Sequence, residues 1–307
     1  MDKTLPFVSV IVPVLNGERT IKECLNSLLK MSYPLKQREI LVVDNGSTDL
    51  TTEIVKQYPV RCVFENRRGL SYARNCGIET SYGRIIAFTD ADCMATTGWL
   101  GELVQGFDSE KIGVVVGEVV SFPPQTPAER YMAMRKPRWQ TRSLTYPGKP
   151  WFLSGCAAFR REVFEEVGLF DTQFAGVGCE DIDFSWRFFQ RNRFKLNYQP
   201  KAVVFHRHRL SARGLFNQYF RYGQGQILLK HKHPQIVTWD WKQEADAYKD
   251  LFLTVMNLGR AAIHPRHENR ELTEVSYQYL ELVRKLSERI GFTYGAFRRP
   301  KAKHCTK

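Results

Sequence analysis

Short apolar runs and stretches of helical spacing alternate along the first two hundred positions. Phe7 to Leu15 is β-branched and apolar, and predicts a buried strand running into Asn16-Gly17. Pro13 belongs at that strand's end, where no ladder bond is lost. From Glu18 to Met31, Ile21, Cys24, Leu25, Leu28 and Leu29 keep helical spacing until Tyr33-Pro34 stops it. Glu39 to Val43 repeats the strand signal and ends in Asp44-Asn45-Gly46-Ser47-Thr48-Asp49, a turn able to cap a helix over 51–58. A third, shorter strand over 61–65, a helix over 70–80 and a strand over 84–93 follow. Strands alternating with helices predict βαβ crossovers, hence an α/β, Rossmann-like, mainly parallel sheet flanked by helices.

The strand over 84–93 carries the first chemical signal. Ile85, Ile86, Ala87 and Phe88 suit the middle of a parallel sheet, covered on both faces. Asp90 and Asp92 then fall at its carboxyl end, where ligands of open α/β sheets bind. Two carboxylates one residue apart suit a divalent cation carrying the charge of a diphosphate. A plain turn after the strand is the simpler explanation, because Asp is common there for its local hydrogen bonds. The first turn, Leu15-Asn16-Gly17-Glu18-Arg19, lacks the glycines of a dinucleotide fingerprint, and no P-loop is present. Any bound phosphate therefore depends largely on a metal.

Beyond Cys93 the pattern predicts a helix over 98–107, a strand over 112–120 and a proline-rich, basic and aromatic excursion over 121–150, the kind of segment that forms lids. Trp151 to Phe159 reads as a strand with Gly155 at a close approach. The run Gly178-Cys179-Glu180-Asp181-Ile182-Asp183 opens a helix whose dipole favours acids at its start. Lys201 to His206 reads as a last strand. Helices over 211–230, 250–263 and 269–290 form a C-terminal extension, so the expected division is 1–210, with halves near 1–120 and 121–210, followed by 211–307.

The formal net charge of +13 is uneven: from Lys201 onward there are 20 Lys and Arg against 9 Asp and Glu. A basic tail fits an anionic partner such as phospholipid head groups or a polyprenyl phosphate; an amphipathic helix over 250–263 could lie in an interface or dock on the preceding domain. No signal-peptide pattern opens the chain and no apolar run is long enough to span a bilayer. Seven cysteines without C-x-x-C spacing fit reduced thiols. The expected location is cytoplasmic, with peripheral attachment at the inner face of the membrane.

Five blocks together carry a family resemblance: the opening Val8 to Asn16, Val42 to Asp49, Gly69 to Asn75, Thr89 to Asp92, and Gly178 to Arg187. In this order, over about residues 5 to 210, the chain resembles a family 2 glycosyltransferase of the GT-A fold. The resemblance implies inverting sugar transfer from a nucleotide-activated donor, a UDP-sugar being favoured, with Mn2+ or Mg2+ on the diphosphate. It places Pro13 and Glu18 in the nucleotide pocket, Asp44 at the base, Arg74 at the nucleotide, Asp90 near the ribose and Asp92 on the metal. It sets Ser154 and Gly155 beside sugar and acceptor, and makes Asp181, with Glu180 adjacent, the general base. His206 ends a strand and suits a third metal ligand beside the two carboxylates. The expected partners are a nucleotide-sugar donor, a glycan or lipid-linked acceptor and an anionic membrane surface, not nucleic acid. Gln218-Tyr219-Phe220-Arg221-Tyr222 faintly resembles the Gln-x-x-Arg-Trp signature of processive polysaccharide synthases. That relative and a catalytically silent sugar-nucleotide binder are the alternatives.

Overall fold

The computed structural model describes residues 5–136, 138–238, 241–263 and 272–297. In chain order they form β1 (Val8–Val14), α1 (Ile21–Leu29), β2 (Arg38–Asp44), α2 (Thr51–Val55), β3 (Arg61–Phe64), α3 (Leu70–Thr80), β4 (Ile85–Thr89), β5 (Cys93–Ala95) and α4 (Trp99–Gln105). The chain continues as β6 (Ile112–Ser121), α5 (Pro127–Arg135), α6 (Trp139–Leu144), β7 (Cys156–Arg160), α7 (Arg161–Val167), α8 (Glu180–Arg191) and β8 (Lys195–His206). It ends in α9 (Ala212–Lys232), α10 (Trp241–Ile263) and α11 (Glu274–Phe297). One compact unit takes the described residues of 1–122, 136–176 and 180–207; the other takes those of 123–135, 177–179 and 208–307.

In the first unit an eight-stranded sheet has the order β3-β2-β1-β4-β7-β6-β8-β5. Among the described residues, the pairs around β1 and the β6–β8 pair are parallel, whereas β4–β7, β6–β7 and β5–β8 are antiparallel. The sheet is thus more mixed than the βαβ pattern predicts. The reason is that β7 enters after a long excursion and runs against both of its neighbours.

Alternation along the strands decides which helices cover which face. Val8, Val10 and Val12 of β1, with Ile85 and Ala87 of β4, pack with Ile21, Leu25, Leu28, Trp99 and Leu103 from α1 and α4. Ile11, Ile86 and Phe88 point the other way, among Ala73, Ile78, Val163, Phe164 and Phe184. Phe88 meets Phe159 and Phe170 edge to face at 5.8 Å, so the two central strands are fixed by rings of defined geometry.

The chain order creates a topological switch point. β1 to β3 build outward in one direction, and β4 then returns to the opposite side of β1, so the strand order reverses between β1 and β4. Ligands of open α/β sheets bind at such switch points. Pro13 lies past the end of the β1–β4 pairing, which stops at Ile11, so its missing N–H interrupts nothing there.

Two strand boundaries differ from the sequence pattern at positions that matter. The run over 84–93 is broken: β4 stops at Thr89, the Cys93 N–H closes a turn onto the Asp90 carbonyl at 2.9 Å, and β5 begins. β7 begins only at Cys156, leaving Ser154 and Gly155 in a turn. The excursion over 121–150 is not a bare loop, since it holds α5 and α6.

In the second unit, Tyr131 and Met132 of α5 share a core with Leu215 and Tyr219 of α9 and Leu280 of α11. Glu281 is its charged centre: burial opposes its ionisation, but Arg284, Tyr131 and Arg135 hold the carboxyl down at about 2.

Candidate active site

The switch point gathers acids that lie far apart in sequence. Asp90 follows β4, and Arg74, on the inner side of α3, reaches it at 3.4 Å with one guanidinium nitrogen. The other nitrogen binds Glu180 at the start of α8 at 2.6 Å, across 106 positions. Arg74 is nearly fully buried, and a charge there persists only if it is paired. Burial works against its ionisation, but Glu180, Asp90 and Asp181 together hold it firmly protonated. The Asp90 carboxyl is pushed up by burial; Arg74 pulls against this, and Asp92 adds to the rise.

Asp92 sits two residues on, where the turn after β4 delivers it beside the last strand. Cys93 is in register with His206 across the β5–β8 pair, so His206 Nε2 comes within 3.5 Å of Asp92 Oδ1. The backbone N–H of Arg207 donates to the Asp92 carbonyl at 2.9 Å and fixes the turn. Asp90, Asp92 and Cys93 each place one ligand atom within 4.8 Å of the others. Two carboxylates and an imidazole suit a hard or borderline cation such as Mg2+ or Mn2+; the buried Cys93 thiol, pushed well up by burial and the neighbouring acids, does not. The Trp139 ring meets His206 edge-on at 6.1 Å and confines the imidazole.

Asp181 is half-buried in the first turn of α8. Burial raises its carboxyl to about 7, with Glu180 adding to the rise, Arg74 opposing it, and Asp90 contributing a smaller upward push. Its backbone carbonyl accepts from Ser185 Oγ at 2.6 Å, and Ser185 Oγ in turn accepts from Phe152 N–H at 3.0 Å, which ties α8 to the turn before β7. Asp183 is fully buried and holds Arg187 at 2.9 Å one turn on, a bracing role that matches its place in the motif.

That turn before β7 also reaches the acids. A methyl group on Gly155 would stand 2.4 Å from Asp90 Oδ2, so only glycine leaves the carboxylate where it is. Gly155→Ala is expected to keep the fold and displace Asp90, so that any stabilisation by a divalent cation needs at least ten-fold more of it than in the parent, read by metal titration of the melting temperature. Ser154 Oγ, Thr89 Oγ1 and Arg74 Nε are all buried without a protein hydrogen-bond partner. Buried polar groups are usually satisfied, and these three lie on residues flanking Asp90.

The remaining expected residues sit at the ends of β1 and β2. Pro13 is buried in β1, and Glu18 is exposed and accepts from Leu50 N–H at 3.2 Å. Asp44 is 1% exposed, with its carboxylate accepting from Ser47 N–H at 2.8 Å and from the Thr52 hydroxyl. Among the described residues, Pro13, Glu18 and Asp44 make no hydrogen bond to the Arg74 cluster. They form instead a knitted wall in which Asn16 Oδ1 accepts from Thr48 N–H at 2.8 Å and Gly17 N–H donates to Thr51 Oγ1 at 2.8 Å.

Three further residues support the site, and of these Asn45 and Thr89 escape a reading of the sequence. Buried Asn45 donates to the carbonyls of Glu65 and Arg67 and accepts from Gly69 N–H at 2.6 Å, which holds the entry to α3 and hence Arg74. Asn75 exchanges two bonds with the Phe170 backbone, at 2.8 and 3.0 Å. Thr89 gives no local signal beyond ending a strand beside Asp90.

Comparison with solved structures gives the class. A mannosyltransferase from Pyrobaculum calidifontis, solved in complex with GDP-Man and Mn2+, superposes with a TM-score of 0.63 at 21% identity, over 97% of this chain and 89% of that one. The fold is accordingly that of the GT-A glycosyltransferases, with the acids placed at the sheet's switch point. The family model described as glycosyl transferase family 2 matches residues 9–168, and the chain belongs to that family. Glycosyltransferase AglE of Haloferax volcanii is 35% identical over 236 residues, 74% of this chain and 75% of the relative. A Methanococcus voltae protein named dolichyl N-acetyl-alpha-D-glucosaminyl phosphate 3-beta-D-2,3-diacetamido-2,3-dideoxy-beta-D-glucuronosyltransferase is 25% identical over 76% of this chain and 77% of its own length.

Proposed function

We propose that this glycosyltransferase moves a sugar, with inversion, from a nucleotide-diphosphate donor, a UDP-sugar first among them, to a hydroxyl of a lipid-linked glycan acceptor. The observation that carries the reading is the acid set joined by Arg74: Asp90 on the donor side and the Glu180–Asp181 pair on the other. The name of the Methanococcus relative, which acts on a dolichyl-phosphate-linked sugar, supports a lipid-linked acceptor.

Division of labour follows from the chemistry. Asp90, Asp92 and His206 would hold Mn2+ or Mg2+, which when bound neutralises the departing diphosphate. Asp181 takes the proton from the acceptor hydroxyl as that oxygen bonds to the anomeric carbon. The bond from that carbon to the β-phosphate oxygen breaks at the same time, and its electron pair leaves with the nucleoside diphosphate. Attack from the face opposite the leaving group inverts the configuration. Arg74 fixes Glu180 and Asp90, so Asp181 is the acid of this set that the guanidinium does not hold. Pro13, Glu18 and Asp44 contribute the wall on which the nucleoside rests.

Thermal-shift screening of UDP-, GDP- and dTDP-sugars with and without Mn2+ tests the reading. Saturation at about a hundred times Kd adds about 2.7 kcal/mol, which raises the melting temperature by roughly 4 °C in a chain of this size. The shift should need Mn2+ and disappear in Asp92→Asn. If no donor gives a metal-dependent shift, the reading fails.

A further inference from the structure

Among the described residues of the second unit, one face of α10 is exposed. The helix docks through Thr254 and Ala261, both buried, while Lys285 of α11 holds Asp250 Oδ2 at 2.7 Å and Thr254 Oγ1 at 2.9 Å. On the outer side stand Trp241 (82% exposed), Phe252 (63%), Val255, Met256 and Ile263 (73%), with Tyr248 at the edge nearest α11, its half-exposed ring 4.9 Å from the Arg289 guanidinium. At 3.6 residues per turn these six positions fall within an arc of about 100°. Single exposed apolar side chains are ordinary, but a stripe running the length of a helix marks a binding surface.

The charges identify the partner. At the same angular step Lys242, Lys249 and Arg260 fall together along one edge of the apolar arc, next to Met256, within about 20° of one another. Asp246 and Asp250 lie farther round, toward the docked side, where Asp250 is already paired with Lys285. The chain from Lys201 onward carries 20 Lys and Arg against 9 Asp and Glu, and Arg298, Arg299, Lys301, Lys303 and Lys307 follow α11 in the sequence. No described helix is long and apolar enough to cross a membrane. An apolar stripe with aromatic rings and a one-sided basic edge is the pattern of a helix that lies in the lipid interface. Trp and Tyr prefer that depth, and long cationic side chains reach from it to phosphate oxygens.

We infer that α10 is a docking helix for an anionic bilayer surface, with its Phe252–Met256 stripe entering the head-group boundary and Lys242, Lys249 and Arg260 contacting lipid phosphates. This goes beyond the sugar-transfer reading and does not rest on it, because lipid binding is measured with neither donor nor acceptor present.

The test uses the full chain and sucrose-loaded vesicles, either of phosphatidylcholine alone or with about one-third phosphatidylglycerol, at near-physiological salt. The protein should pellet with the anionic vesicles and be released as salt is raised. Phe252→Glu or Met256→Glu, each on the exposed face, should weaken binding more than ten-fold without lowering the melting temperature. Lys249→Glu and Arg260→Glu should each cost about five-fold or more toward anionic vesicles. The same variants should keep the metal-dependent donor shift, which separates failure here from failure of the sugar-transfer reading. If the variants pellet like the parent, the terminal basic residues bind the vesicles and the inference is overturned. It is equally overturned if the parent does not pellet, whether it is a monomer or a dimer that Phe252→Glu breaks apart.

Discussion

Asp181→Asn is expected to lower kcat by about a thousand-fold, the scale of a lost general base, while the donor-induced thermal shift stays within a few-fold of its parent concentration dependence. Asn keeps the shape of the side chain but cannot accept the proton of the acceptor hydroxyl. Because burial and Glu180 lift the Asp181 carboxyl to about 7, the rate should rise with pH through that region in the parent and lose this limb in the variant. Extra positive charge at Asp90 and Asp92 moves the midpoint down, so it should fall as Mn2+ is raised. Stability runs the other way. A carboxyl whose folded value lies above its unfolded one favours folding only while protonated, so its contribution is present below the unfolded value near 4 and is lost as pH rises through 7. At pH 8, Asp181→Asn should therefore melt higher than the parent while transferring almost nothing. A variant that transfers within ten-fold of the parent would move the base to another residue, Glu180 first.

What the sequence reveals of this site follows from the range of the interactions. Asp90 and Asp92 are legible because strand, turn and acids are contiguous, and the apolar run of β4 announces its carboxyl end. The five motif blocks announce the family, yet they are silent on which acids Arg74 joins. That contact spans 106 positions and exists only because α3 and α8 cover the same face of the sheet. His206 is legible as the end of a strand, but its approach to Asp92 depends on β5, a three-residue strand too short to leave a periodic signal. Asp44 reads as a base contact, with the cap of its own turn as the simpler alternative. The structure places its carboxylate on Ser47 and Thr52, contacts local enough for the turn to require them whatever the nucleoside does. Gly155 is legible as a site of close approach, while the atom approached, Asp90 Oδ2, becomes visible only in three dimensions.

Arg74 separates two roles that a single substitution would confuse. Arg74→Met leaves Glu180 buried without its cation and Asp90 under the Asp92 charge with no guanidinium to offset it, and breaking such a pair costs about 3–5 kcal/mol. The melting temperature should fall by roughly 5–8 °C. Arg74→Lys keeps the charge but offers one ammonium where a fork held two acids 2.6 and 3.4 Å away. It should fold with a smaller loss and transfer roughly 10–100-fold more slowly, since a carboxylate displaced by even 1 Å is a poor ligand or base. The double variant Arg74→Met/Glu180→Gln removes both charges of the shorter pair and should recover at least about 1 kcal/mol relative to the sum of the single changes. Recovery of stability without recovery of transfer would mean that the guanidinium positions the acids. If Arg74→Lys instead raised the donor concentration needed for half-maximal rate and left kcat unchanged, the arginine would act on the nucleotide, and the bridge between α3 and α8 would be packing alone.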